Sequence, residues 1–302
     1  MNSYFKGILL TSLSAILFGL NPLFVFLLTD NNVSIYLTLF IRFVGSLLIY
    51  LFFIIVSKRK FILIKEIKLL LKILISSFFF LSTAGLLVYS YSKIDSGLTT
   101  VLHFSYPILI TMLSVWTKRD KLSLTLVIAI IISIIGVVFV TNPFNMECNV
   151  VGVSTALLSA LTFAIYLFML NDKDIKKIDN SIFVVYLSLF SVLLLIISLI
   201  IFSNHLFNYQ SIIYSFETIF GTLGLIVASA VGVIIFSCGA RKVGGPIAGT
   251  ISSFEPLTAV LIGVLYLNES APKYYKIGVF LIIFATALIS LFSTKKNKID
   301  LN

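Results

Sequence analysis

Apolar residues run along this chain in long blocks, and lysine and arginine gather in the gaps between them. A helix needs about 20 apolar residues to cross the hydrocarbon layer of a bilayer. Blocks of that size fall at 7–28, 34–56, 69–92, 97–117, 122–140, 152–170, 182–203, 218–240, 245–267 and 274–293, and each predicts a spanning helix. Strands of a membrane barrel are about ten residues long and alternate apolar with polar positions. These blocks are longer and do not alternate. The connections are short, which leaves no soluble output domain of the kind a membrane-embedded sensor would carry.

Composition agrees with the pattern. The chain of 302 residues is 59% hydrophobic and 11% charged, with a mean hydropathy of +1.12. A water-soluble fold of this size has too much surface to hide so much apolar material. The net charge of +10 does not argue for a nucleic-acid partner, because the basic residues sit in short clusters between blocks. With the N-terminus inside, the inner segments hold Lys6, then 58–72, then 118–121, then Lys173, Lys176 and Lys177, then Arg241 and Lys242, then 295–298. The outer loops keep only Lys93, Lys273 and Lys276, and Arg42 lies within the second block. By the positive-inside rule both termini are cytoplasmic and the number of spans is even.

An internal repeat emerges when the sequence is shifted by 149 positions: KIDSGLTTVLHFSYPILITMLSVWTKRD (93–120) then lies on KVGGPIAGTISSFEPLTAVLIGVLYLNE (242–269) without a gap. Pro107 meets Pro256 and Asp120 meets Glu269. A shift of 145 places GILLTSLSAILF (7–18) on GVSTALLSALTF (152–163). Residues 1–145 and 146–302 thus form two five-helix repeats. Five is odd, so the halves cross the membrane in opposite senses. The expected fold is an all-α membrane protein with ten transmembrane helices as two inverted five-helix repeats, an arrangement that places a substrate site near the midplane between halves.

These residues resemble the drug/metabolite transporter superfamily, of the EamA-type. The resemblance rests on the ten spans, the duplication, Arg42 in the second span and SSFEPLTAVLIGVLYLNESAPKYYKIGVFLII near the C-terminus, where Glu255, Pro256, Glu269 and Gly278 fill the family's Glu-Pro, Glu and Gly places. One departure is Asn21–Pro22, where many relatives carry a bulkier apolar residue after the Asn. The resemblance implies a permease of the cell membrane that moves amino acids, other metabolites or drugs. It favours export over uptake.

Residues three and four apart share a helix face. Small and polar residues recur at that spacing in the ninth span (Gly245, Gly249, Ser252, Pro256, Ala259, Gly263) and in the fourth (Ser96, Thr100, His103, Pro107, Ile110, Ser114). Such stripes let helices pack closely in lipid. The aromatic and ionisable members ask for more than packing, since a cavity for an amphipathic solute combines apolar walls with a few polar tips. The expected substrate-binding set is Ser14, Phe18, Asn21, Ser82, Tyr89, His103, Phe163, Tyr166, Ser252 and Glu255. Spans 1, 3, 4, 6, 8 and 9 are expected to line the cavity, with 2, 5, 7 and 10 at the periphery.

A charge at the bilayer centre costs roughly 3 kcal/mol or more and faces the bundle interior or water. Glu255 and His103 are the proton-coupling candidates, and His103 is the one group in the spans that ordinarily titrates near neutral pH. Three roles stand open for Glu255: a structural partner of Arg42 or of a backbone N–H, a proton carrier, or a direct substrate contact. Pro107 and Pro256 are helix breaks, each removing one backbone hydrogen bond. Asp120 and Glu269 read as loop anchors, and Glu217 as a helix-start residue.

Other chemistries find no motif. No G-x-x-x-x-G-K-[ST] phosphate loop or G-x-S-x-G nucleophile elbow occurs. His103, His205, Cys148 and Cys238 are too scattered for a metal site. The reading is a secondary transporter and not an enzyme, with no cofactor and no metal. Its partners are a small-molecule substrate and the lipid bilayer, and the chain works as a monomer or weak homodimer. A facilitator or channel-like uniporter is the alternative.

Overall fold

The computed structural model describes residues 3–57, 62–94, 96–117, 123–141, 149–206, 215–266, 273–274, 276–285 and 288. Every regular element among them is a helix. The first half holds α1 (Ser3–Gly19), α2 (Asn21–Asp30), α3 (Ile35–Val56), α4 (Ile67–Tyr91), α5 (Ser96–His103), α6 (Tyr106–Trp116) and α7 (Leu124–Thr141). The second holds α8 (Val150–Leu170), the short α9 (Lys173–Lys177), α10 (Asn180–Leu206), α11 (Phe216–Val243), α12 (Gly245–Ile251), α13 (Phe254–Tyr266) and α14 (Lys276–Ala285). Six stretches are long and apolar enough to cross a membrane: Ser3–Asp30, Ile35–Val56, Ile67–Tyr91, Val150–Leu170, Asn180–Ile201 and Phe216–Val243. Asp120, Glu269, Cys148 and the basic clusters at 58–60, 118–121 and 295–298 lie outside the described residues, as does the side chain of His205.

Three of the expected blocks hold two helices instead of one. The breaks fall at Leu20, at Phe104–Ser105 and at Ser252–Ser253. Each is followed within a turn by a proline: Pro22, Pro107 and Pro256. Proline lacks the N–H that would bond four residues back. The carbonyls relieved of that donor belong to Phe18, His103 and Ser252. At the last break Glu255 N–H reaches Ser252 O at 2.9 Å, closing a tighter turn. The two later breaks are related by the repeat, because a shift of 149 carries α5 and α6 onto α12 and α13 to within one residue.

Local chemistry sets the other boundaries. Ser34, Asn149 and Ser215 cap α3, α8 and α11 by accepting backbone N–H groups. Glu217 lies in the first turn of α11, as expected of a helix-start residue. Gly244 takes φ +90°, which lets α11 turn straight into α12 without a loop.

The packing is inverted relative to a water-soluble bundle. In α1 the buried face is Gly7, Thr11, Ser14, Ala15 and Phe18, while Leu9, Leu13 and Ile16 point outward. Large apolar side chains cover the outside elsewhere too, such as Phe52 at 68% exposure and Ile200 at 73%. Small residues inside let backbones approach where lipid gives no apolar drive between helices. Buried hydroxyls spend their donors on their own helices: Thr11 on Gly7 O, Thr83 on Phe79 O, Thr250 on Pro246 O.

The halves pack reciprocally. The repeat equates α1 with α8 and α4 with α11. Accordingly α1 lies along α11 and α8 along α4, while α3 lies along α10. The pairing extends to single residues. A Cβ on Gly7 would meet Val243 and Lys242, and one on Gly152 would meet Ile94 and Lys93, the same positions exchanged between halves. Ser90 donates to Gly152 O at 2.9 Å, and its counterpart Gly239 lies with its Cβ direction 2.9 Å from Gly7 O.

Candidate functional site

A cavity of about 50 Å³ lies where the breaks converge, enough for a few water molecules. Phe18, Asn21, Pro22 and Val25 line it from the junction of α1 and α2. One stripe of α4 contributes Phe80, Thr83, Ala84, Leu87, Val88 and Tyr91. Arg42 of α3, His103 of α5, Phe163 of α8 and Glu255 of α13 complete the wall. The α1 and α13 breaks touch directly: a Cβ on Gly19 would stand 2.6 Å from Glu255 O and 2.5 Å from Thr258 Cβ. Phe18 and His103, whose carbonyls lose the proline's donor, are thus residues that line this cavity, the setting in which a membrane tolerates a broken helix.

The polar groups of the wall differ in how far they are already satisfied. His103 is buried, and its Nδ1 lies 2.8 Å from Ser159 Oγ. The Ser159 hydroxyl donates to Ala156 O at 2.6 Å, so its oxygen accepts and His103 Nδ1 carries the hydrogen. Thr83 and Thr162 hydroxyls share a hydrogen bond at 2.8 Å between α4 and α8. Asn21 Oδ1 accepts from Ser229 at 3.3 Å. Arg42 and Glu255 are the charged pair. They act on each other electrostatically, and neither enters an ion pair within 4.0 Å among the described residues. Arg42 lies over the Phe43 ring at 5.9 Å, a loose contact.

Aromatic rings form the floor. Phe163 packs on Tyr106 (4.7 Å between centroids), Tyr166 (5.9 Å) and Phe236 (6.0 Å), and Phe80 packs on Tyr166 at 4.7 Å. Beyond the floor an ionic cluster ties the halves together. Lys72 of α4 donates to Asp172 at 2.8 Å and to Asp174 at 2.7 Å, at the start of α9. Lys177 adds a bond to Asp174 at 3.2 Å. These bonds, that of Lys72 first, hold the Asp174 carboxyl below its ordinary range. A depressed carboxyl stabilises the fold above its unfolded value, about 3.9 for Asp, and that contribution is lost as pH falls through the folded value. Acidification through that window should lower the unfolding temperature of the parent protein more than that of Lys72→Met. Equal pH profiles would show that the cluster contributes nothing to stability.

Of the expected substrate-binding residues, the structure brings Phe18, Asn21, His103, Phe163 and Glu255 together at the cavity. Ser14 and Ser252 are buried beside it, with hydroxyls spent on Thr11 O and Ala248 O. Tyr166 lies beneath the floor. Ser82 and Tyr89 point elsewhere, and Tyr89 is 40% exposed with Lys93 Nζ over its ring. The cavity stripe of α4 is the neighbouring face, Phe80, Thr83, Leu87 and Tyr91. A hydroxyl between two aromatics at helical spacing was its signal in the sequence, and the serine and glycine stripe masked it. The second span also reaches the cavity, since the length of the Arg42 side chain carries it there.

A family model, that of the EamA-like transporter family, matches residues 5–142 and again 150–291. No curated protein matches the chain. A solved crystal structure aligns with 95% of this chain and 98% of its own, with a TM-score of 0.77 and 14% sequence identity, a likeness of fold.

Proposed function

Since the chain belongs to the EamA-like transporter family and is a multi-pass membrane protein, we propose that it is a secondary transporter of small amphipathic metabolites working by alternating access. Amino acids are the substrate class that fits best. The observation that carries this reading is the cavity wall, with one cation (Arg42) and one carboxylate (Glu255) not in contact with each other, set among Phe18, Phe80 and Phe163. A zwitterion with an apolar side chain offers a group for each. The cavity is too small in this conformation for such a solute, as expected of a site that closes around its cargo and not of an open channel.

Ten spans in two inverted repeats complete the proposal. The reciprocal packing of α1 on α11 and α8 on α4 supports a two-fold relation between halves, and the distribution of lysine and arginine supports cytoplasmic termini in the cell membrane. Export is the direction proposed, and protons the coupling ion. Glu255 is favoured over His103 as their carrier, because His103 already donates to Ser159.

Counterflow of labelled amino acids in proteoliposomes tests this, with and without a pH gradient, in the parent protein and in Glu255→Gln. Flux accelerated by trans substrate and by the gradient is expected, with the variant keeping exchange at a raised KM and losing the gradient response. Absent trans-stimulation points to a facilitator. An unchanged gradient response in the variant removes Glu255 from coupling.

A further inference from the structure

Beneath the aromatic floor lies a second polar group that the cavity does not use. Arg241, near the end of α11, donates from Nη1 to Ile178 O at 2.8 Å and stacks over Phe183 at 4.6 Å. Those contacts occupy one nitrogen and one face. Its Nε and Nη2 are buried and have no hydrogen-bond partner among the described residues. The Tyr166 hydroxyl is likewise buried and unpartnered, on a side chain with no exposure at all. Tyr166 and Arg241 stand close enough to interact electrostatically. Asp179 also acts on Arg241 electrostatically, and its Oδ1 accepts the Ser181 N–H at 2.8 Å.

Buried donors without acceptors are rare and call for an explanation. Nε and Nη2 form the edge of a guanidinium that takes a carboxylate through two parallel bonds. The Tyr166 hydroxyl, within electrostatic reach of it, is a further donor without an acceptor. We propose that Arg241 and Tyr166 form a carboxylate-binding site on the far side of the aromatic floor from the cavity. Phe80 and Phe163 line the cavity on one side and pack against Tyr166 on the other. Parting these rings joins Arg42 to Arg241, so the carboxylate end of a solute passes from one arginine to the other. Binding at this site does not depend on transport; its role as a second station rests on the transport reading.

The test is thermal unfolding of purified protein as acetate replaces chloride at constant sodium, with acetamide as the neutral control. It is run in the Arg42→Gln background, so that the cavity arginine adds nothing. Acetate, and not acetamide, should raise the unfolding temperature. Adding Arg241→Gln should remove that response. Adding Tyr166→Phe should raise the acetate concentration needed about tenfold, as for one bond to a charged group. Tyr166→Phe deletes only an unpartnered hydroxyl and keeps the ring, so it is safe for folding. No acetate response in the Arg42→Gln background, or one that survives Arg241→Gln, overturns the proposal. Counterflow in the parent protein reports on the transport reading separately.

Discussion

The Gly239→Leu variant unfolds well below the parent protein and elutes from size exclusion as a heterogeneous, partly aggregated species. The cause is the contact between α1 and α11. A Cβ at position 239 would lie 2.5 Å from Thr11 Oγ1 and 2.9 Å from both Gly7 O and Thr11 N. Two of those atoms are backbone and cannot swing aside, so the helices must separate. Gly7 faces the same contact, 3.3 Å from Gly239 O, and no slack exists on either side. Overpacking of a well-packed site costs about 1–3 kcal/mol and more when backbone must move. Gly85→Ala is the control, because its Cβ meets only Leu39 Cδ1 at 3.6 Å. Thermal unfolding in detergent checks the pair: the leucine variant must fall far more than the alanine one. Equal midpoints would show that α1 and α11 are not held at the distance described.

Arg42→Gln raises the KM for counterflow of L-phenylalanine by roughly 10- to 100-fold while leaving the maximal rate within a few-fold of the parent. Arg42 lines the cavity and makes no ion pair within 4.0 Å among the described residues. Its charge is therefore available to a solute carboxylate. A hydrogen bond to a charged group contributes about 1.5–3 kcal/mol. That converts to the stated range at about 1.4 kcal/mol per factor of ten. Arg42→Lys should recover part of the loss, since it keeps the charge and gives up the fork. A maximal rate that collapses with KM unchanged would assign Arg42 a structural role with Glu255 instead.

The apolar blocks made the helices legible, because block length and polar gaps follow directly from bilayer thickness. The repeat was legible too, down to Pro107 and Pro256, whose surrounding helices coincide under the shift. The break before Pro22 was harder to read, because its repeat counterpart is Leu167 in the unbroken α8. Glu255, His103, Phe18 and Phe163 were found because charge and aromatics at mid-span are costly or bulky enough to need a reason. The facing side of α4 was not. Ser82 and Tyr89 look polar in a list, but Ser82 is one residue from the cavity-lining Thr83 and Tyr89 two from Tyr91, steps that turn each onto another face of the helix. Rotation about a helix axis is fixed by neighbours, and no local pattern encodes it. Arg241 escaped notice for another reason. It lies in a basic cluster that topology alone explains, and only its buried, unpaired edge sets it apart.

The proline breaks also decide where this protein comes apart first. In most folds the centre is the last region to open, and amide protons there exchange most slowly. Here the backbone at Leu20, at Phe104–Ser105 and at Ser252–Ser253 lies in the middle of its span, and tighter three-residue bonds replace part of the regular ladder: Leu20 to Leu17 O, Ser105 to Leu102 O and Ser253 to Thr250 O, each at 3.2 Å. Local opening is therefore expected to start there, around the cavity, before the long uninterrupted α4, α8 and α11 open, an order that amide exchange reads directly. The hierarchy of stability runs from a soft middle to a firm frame.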